Sequence, residues 1–115
     1  MIKISVESGN ECLVKVEVRG HGEGIKGKDI VCAAVSSVVQ SAVAGLLHFN
    51  PGNLTWKMKK GYIYFAIRGF PDHSTRLACD AVVATMILGI KAIAREYPKK
   101  LHLKLPARYN QDSSP

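Results

Sequence analysis

Acidic residues are scarce in this chain. Nine Asp and Glu stand against sixteen Lys and Arg, a formal net charge of +7, and no acid occurs between Asp29 and Asp72. Cysteine is limited to Cys12, Cys32 and Cys79, an odd number without a CxxC pair. That excludes a disulfide framework and a paired-cysteine metal site, and it suits thiols kept reduced in a cytoplasm. The N-terminus, MIKISVES, lacks the basic segment and apolar block of a secretory leader. Residues 30–56 carry no Asp, Glu, Lys or Arg, yet Ser36, Ser37, Gln40, Ser41, His48 and Asn50 interrupt the run and Pro51-Gly52 ends it. A buried or partner-facing helix fits better than a membrane span. The positive balance permits contact with RNA or an acidic surface, and equally a solvated basic face.

What is present is a chain of 115 residues with 47% apolar content, enough for one domain with its own core. Ile2, Ile4 and Val6 alternate with Lys3, Ser5 and Glu7. Val14, Val16 and Val18 alternate with Lys15, Glu17 and Arg19. Two strands joined as a hairpin follow from that period of two. From Asp29 the period lengthens, placing Val31, Val35, Val38, Ala42 and Leu46 on one helical face until Asn50-Pro51-Gly52. Leu54, Trp56 and Met58, then Ile63, Phe65 and Ile67, give a second hairpin. Asp72 or Ser74 caps a second helix, with a core face through Val83, Met86, Ile87, Ile90, Ile93, Ala94 and Tyr97, that Pro98 closes. Leu101, Leu103 and Leu105 mark a last strand, and residues 106–115 read as a polar, disordered tail beyond the single domain of 1–105. Each strand has one apolar and one polar face, so both helices should cover the same side of the sheet. The expected fold is α+β, a two-layer sandwich in ββαββαβ order with a mostly antiparallel sheet. The second helix is apolar on more than one side, which suggests a homodimer.

The segment GHGEGIKGKDIVCAAVS, residues 20–36, admits three readings. Gly22 to Lys28 matches GxxxxGK, but Asp29 stands where a magnesium-binding Ser or Thr belongs. Gly22, Gly24 and Gly27 match GxGxxG, but the acid needed about twenty residues on for the ribose is missing. In the third reading, Asp29 caps the helix and Cys32 falls in its first turn, where backbone N–H groups and the helix dipole stabilise a thiolate. His21, eleven positions earlier, can then serve as general base. The same N–H groups could hold an oxyanion. Spacing alone fits a buried small residue and an exposed loop histidine at least as well.

The wording of the block adds to its spacing. Gly20-His21, a glycine-rich spacer and Gly27-x-Asp29-Ile30-Val31-Cys32-Ala33-Ala34-Val35-Ser36 resemble the ribosomal-processing cysteine proteases called Prp. The resemblance implies a small cytoplasmic, homodimeric protease without a cofactor. It would remove a short N-terminal extension from a large-subunit ribosomal protein, the one numbered twenty-seven. The resemblance puts the nucleophile on Cys32, the histidine on His21, and supporting roles on Asp29 and Ser36. Gly20, Gly22, Gly24 and Gly27 would form a flexible loop at the site. Cys12 and Cys79 read as structural thiols. His48, His73 and His102 read as helix-end and strand-surface residues, and no metal site is expected. Trp56, Tyr62, Tyr64 and Phe65 read as sheet core or cross-strand pairs rather than a base-stacking platform. Two other classes compete: a non-catalytic ribosome- or RNA-binding protein, with ribosomal RNA as a partner, and an acyl- or thiol-transfer enzyme using the same pair.

Overall fold

The structure, a computed structural model, describes residues 1–9, 14–20 and 30–109. Its strands are β1 (Ile2–Glu7), β2 (Val14–Arg19), β3 (Leu54–Lys59), β4 (Tyr62–Ile67) and β5 (Leu101–Lys104). Its helices are α1 (Ile30–Phe49) and α2 (His73–Glu96). The five strands form one sheet in the order β3-β4-β2-β1-β5. Every neighbouring pair is antiparallel except β1 with β5. The expected α+β sandwich and its ββαββαβ order are what the chain adopts.

The strand registers explain why one face is dry. Val18 lies opposite Ile4 on one side and Ile63 on the other. Val16 likewise sits between Val6 and Phe65. All six are buried, as are Val35, Val39, Val43 and Leu46 of α1 and Cys79, Val83, Ile87 and Ile90 of α2. Burying a side chain of this size stabilises the fold by about 1.5–3 kcal/mol, so the helix-to-sheet layer dominates the energetics. On length and composition alone α1 and α2 could each cross a membrane; here one face of each packs on the sheet.

The helix reading shifts at Val38, which was expected on the sheet-facing side. Val39 and Val43 take that role, and Val38 turns toward α2. A Cβ on Gly89 would meet Val38 Cγ1 at 3.5 Å, and a Cβ on Gly45 would meet both Cγ atoms of Val82 at 3.5 Å. Each helix thus offers a glycine to the other's valine, which lets two antiparallel helices pack closely. Asp72 is the cap of α2: its carboxylate accepts a hydrogen bond from the Thr75 backbone N–H at 2.7 Å. That bond holds the carboxyl below the usual aspartate range. Tyr97, expected on the core face, is 38% exposed at the helix end. The polar tail begins with a short 3-10 turn, Ala107–Tyr109, and Tyr109 packs against the core. Burial pushes its phenol up.

The candidate site at the end of the sheet

Arg19 ends β2, and the next residue, Gly20, takes a φ of 90°. Only glycine adopts that backbone without strain. The Gly20 N–H donates to the Gly61 carbonyl at 3.1 Å, and Gly61, with φ 77°, turns the β3–β4 hairpin. The exit from β2 is thereby tied to the neighbouring hairpin. Gly20, grouped with the loop glycines in the sequence, is the anchored start of that segment.

His21, Gly22, Gly24, Gly27 and Asp29 lie outside the described residues, as does Cys12. The chain reappears at Ile30, which starts α1 and is 70% exposed. Cys32 is the third residue of the helix, so its side chain sits in the first turn. It is partly buried against the core cluster. The first four N–H groups of a helix have no carbonyl partner within it, and the dipole there is positive. A sulfur in this place faces the end of the helix that favours negative charge. Ser36 follows one turn later on the same side, also partly buried.

Cys79 makes the contrast. It is completely buried on the core-facing side of α2. Burial pushes its thiol up, against a hydrogen bond with the Asn50 side chain that acts the other way. Asn50 is itself buried and satisfied, donating to the Gly69 carbonyl at 2.9 Å and accepting from the Asn53 amide at 3.1 Å. No disulfide joins Cys32 and Cys79. Among the described residues no three His, Cys, Asp or Glu side chains cluster as metal ligands would.

The other aromatic and histidine readings divide. Phe65 is core, and Trp56 lies opposite it on the edge strand β3, 47% exposed. Tyr62 and Tyr64 are on the outer face, partly exposed. His48 packs edge-on against Phe49, with ring centroids 4.9 Å apart, His73 starts α2, and His102 lies exposed on β5.

A thiol in the first turn of a helix, reached along the sequence from the central strand through a histidine-bearing segment, has the parts a thiol hydrolase needs. Comparison with known proteins identifies the lineage. The family model for the cysteine protease Prp matches residues 1–102, and the chain belongs to that family of cysteine proteases. The ribosomal processing cysteine protease Prp of Bacillus subtilis (strain 168) is 29% identical over 108 residues, covering 90% of this chain and 96% of that protein. Among solved structures, the essential ribosomal processing protease Prp from S. aureus with a covalently linked product peptide superposes with a TM-score of 0.72 at 21% identity, over 90% of this chain and 98% of that one. SMU.848 from Streptococcus mutans gives 0.72 at 26% identity, over 90% and 92%.

Proposed function

We propose that this protease removes the N-terminal extension of a large-subunit ribosomal protein, number twenty-seven, in the cytoplasm, with Cys32 as nucleophile and His21 as base. The observation that carries the proposal is the position of Cys32 in the first turn of α1, within a chain of the Prp family. The Bacillus subtilis and S. aureus relatives are ribosomal processing proteases, and one S. aureus structure holds a substrate peptide.

The chemistry follows from the residues. His21 accepts the thiol proton as the sulfur attacks the scissile carbonyl, forming the S–C bond. The first-turn N–H groups of α1, which have no carbonyl partner within the helix, can donate to the oxyanion as it develops. Collapse breaks the C–N bond, and the imidazolium returns its proton to the leaving amine. Water then hydrolyses the thioester, and the thiol is regenerated. Asp29, placed just before the helix in the sequence, acts as cap and anchor, and Ser36 lines or packs the same side of α1. Neither a metal nor an organic cofactor takes part in this scheme.

The working unit is a homodimer. Between α1 and α2, on the side away from the sheet, runs an apolar groove of about 650 Å³ whose lining includes Val38, Gly45, Phe49, Val82 and Gly89. Beside it α2 leaves Leu77 and Leu88 exposed, at 57% and 43%. A groove of small residues next to projecting leucines is self-complementary, the requirement of a two-fold interface. Leu88→Arg should yield monomers by sedimentation if the helices form that interface.

The test of activity is cleavage of the extended ribosomal protein followed by mass spectrometry. Wild type and Cys79→Ala should make one cut at the extension, and Cys32→Ala and His21→Ala none. Cleavage by Cys32→Ala would remove the proposal.

A further inference from the structure

The polar face of the sheet is more ordered in its chemistry than a solvated surface requires. The strand registers place its side chains in rows across the strands. One row reads Lys59, Tyr62, Arg19, Lys3 and His102. The next reads Lys57, Tyr64, Glu17, Ser5 and Lys104. Two tyrosines thus stand side by side on β4, two residues apart, roughly 7 Å along the strand, with cations on both flanks. Arg19 Cζ lies 4.8 Å from the Tyr62 ring centroid, Lys59 Nζ 5.5 Å from it, and Lys15 Nζ 5.8 Å from that of Tyr64.

The acid within these rows is already committed. Glu17 accepts from Arg19 Nε at 2.8 Å and from the Tyr62 hydroxyl at 3.1 Å. The Arg19 guanidinium holds the Glu17 carboxyl below its usual range, so its charge offsets Arg19; Glu7 lies opposite Lys15 in the following row, and Lys3, Lys57, Lys59 and Lys104 have no acid opposite them. Lys3, Lys57 and Lys104 are exposed and make no ion pair with a described residue. The hydrogen bond to Glu17 also fixes the Tyr62 ring on the sheet.

We propose that this outer sheet face is a binding platform for single-stranded RNA. The partner must be anionic, because the uncompensated charge is positive. It must also offer flat apolar rings at intervals, because the cations surround two aromatic side chains. Unpaired nucleotides supply both: phosphates for the lysines, and bases that stack on tyrosine or on a guanidinium plane. An anionic lipid surface would use the lysines but calls for an apolar wedge at the centre, which these rows lack. An acidic protein would leave the tyrosine pair without a role. The row of Arg19 and Tyr62 adjoins Gly20 and Gly61, so RNA on this face lies next to the end of the sheet where the chain enters the His21 segment. The proposal deepens the ribosomal reading, and only the identification of that RNA as ribosomal rests on it.

The experiment titrates the full chain into a fluorescein-labelled single-stranded RNA, its duplex and heparin, with anisotropy read over a salt series. Cleavage of a free extended peptide by the same preparation reports the protease separately. The single strand should bind more tightly than duplex or heparin, with log affinity falling linearly against log salt. Lys57→Ala and Lys104→Ala should each make that slope shallower by about 0.7. Tyr64→Ala should weaken RNA binding roughly five- to a hundredfold and leave heparin binding unchanged. Tyr64→Phe should restore it, and peptide cleavage should stay at the wild-type rate in all four variants. No RNA binding at low salt, equal affinity for heparin and RNA without dependence on Tyr64, or tighter binding of the duplex than of the single strand would each overturn the platform.

Discussion

Gly20→Ala tests the link between fold and site most directly. At φ 90° a Cβ meets the following peptide group, and a left-handed backbone costs a non-glycine residue about 1–2 kcal/mol. The opposing gain, a less flexible unfolded chain, is about 0.4–1 kcal/mol. The angle lies beyond the left-handed well near +57°, so the strain should sit at or above the top of its range and win. If the backbone instead escapes to negative φ, the 3.1 Å bond from the Gly20 N–H to the Gly61 carbonyl is lost at about 1 kcal/mol. The strained route predicts a net loss of roughly 1 kcal/mol, or about 4 °C in melting temperature for a chain this size, and the escape route, once the same gain is subtracted, about half of that. Gly52→Ala is the control, because nothing lies within 4 Å of its added Cβ and its φ is not positive. Cleavage should fall further than the stability loss implies, since the next residue is His21 and its starting point would move. Denaturation midpoints and peptide cleavage rates of the two variants decide it. A Gly20→Ala protein with unchanged midpoint and rate would show that the exit from β2 is not held as argued.

Thiol chemistry should separate the two described cysteines. A small alkylating reagent should modify Cys32 well before Cys79 in the folded protein and both at similar rates in denaturant, read by peptide mapping; equal rates in the folded state would contradict the helix-end argument. The Asp72 cap gives a pH dependence. Its carboxyl is lowered in the folded state, so the stabilisation is present above the ordinary aspartate value and fades as pH falls through the lower folded one. The melting-temperature gap between wild type and Asp72→Ala should therefore close toward pH 2 and stay constant above pH 5, and a gap independent of pH would exclude the charged cap. Leu46→Ala, at a position with no exposed surface, should cost about 2–5 kcal/mol by denaturant titration, and a loss under 1 kcal/mol would mean that the helix-to-sheet layer closes around the void.

The strands were legible because the sheet is wet on one side. Alternation through Ile2, Ile4 and Val6 and through Val14, Val16 and Val18 specifies both the extended backbone and the face that turns inward. The helices existed in the sequence but their rotation was less clear. Val38 and Val39 are adjacent and equally apolar, and periodicity cannot say which faces the sheet. The answer depends on Gly89 across the groove, far away in sequence. Trp56 misleads for a similar reason: its alternation is that of a core residue, but β3 is an edge strand and the helices leave the ring half exposed. The place of Cys32 in the first turn of α1 was legible from the cap signal before it, and the wording of the block around it pointed to the family. Gly20 was visible as a glycine, yet its role as an anchored, positive-φ exit needed the hairpin turn at Gly61. The tyrosine rows were missed because they come from registers of four separate strand pairs, which alternation within one strand does not reveal.

The charge of the chain makes sense once the faces are separated. A protease with a net charge of +7 gains no long-range attraction toward a basic ribosomal protein. The outer sheet face, opposite the helices, carries Lys3, Lys15, Arg19, Lys57, Lys59 and Lys104 against Glu7 and Glu17, so the proposed dimer groove and the proposed RNA platform occupy opposite sides of a two-layer molecule. Occupying one does not obstruct the other. A consequence can be measured. Leu88→Arg should change the oligomeric state without altering the affinity of a single protomer for RNA, and Lys57→Ala should weaken RNA binding without producing monomers. Loss of both properties in either variant would mean that the two faces are coupled through the sheet, contrary to the layered arrangement.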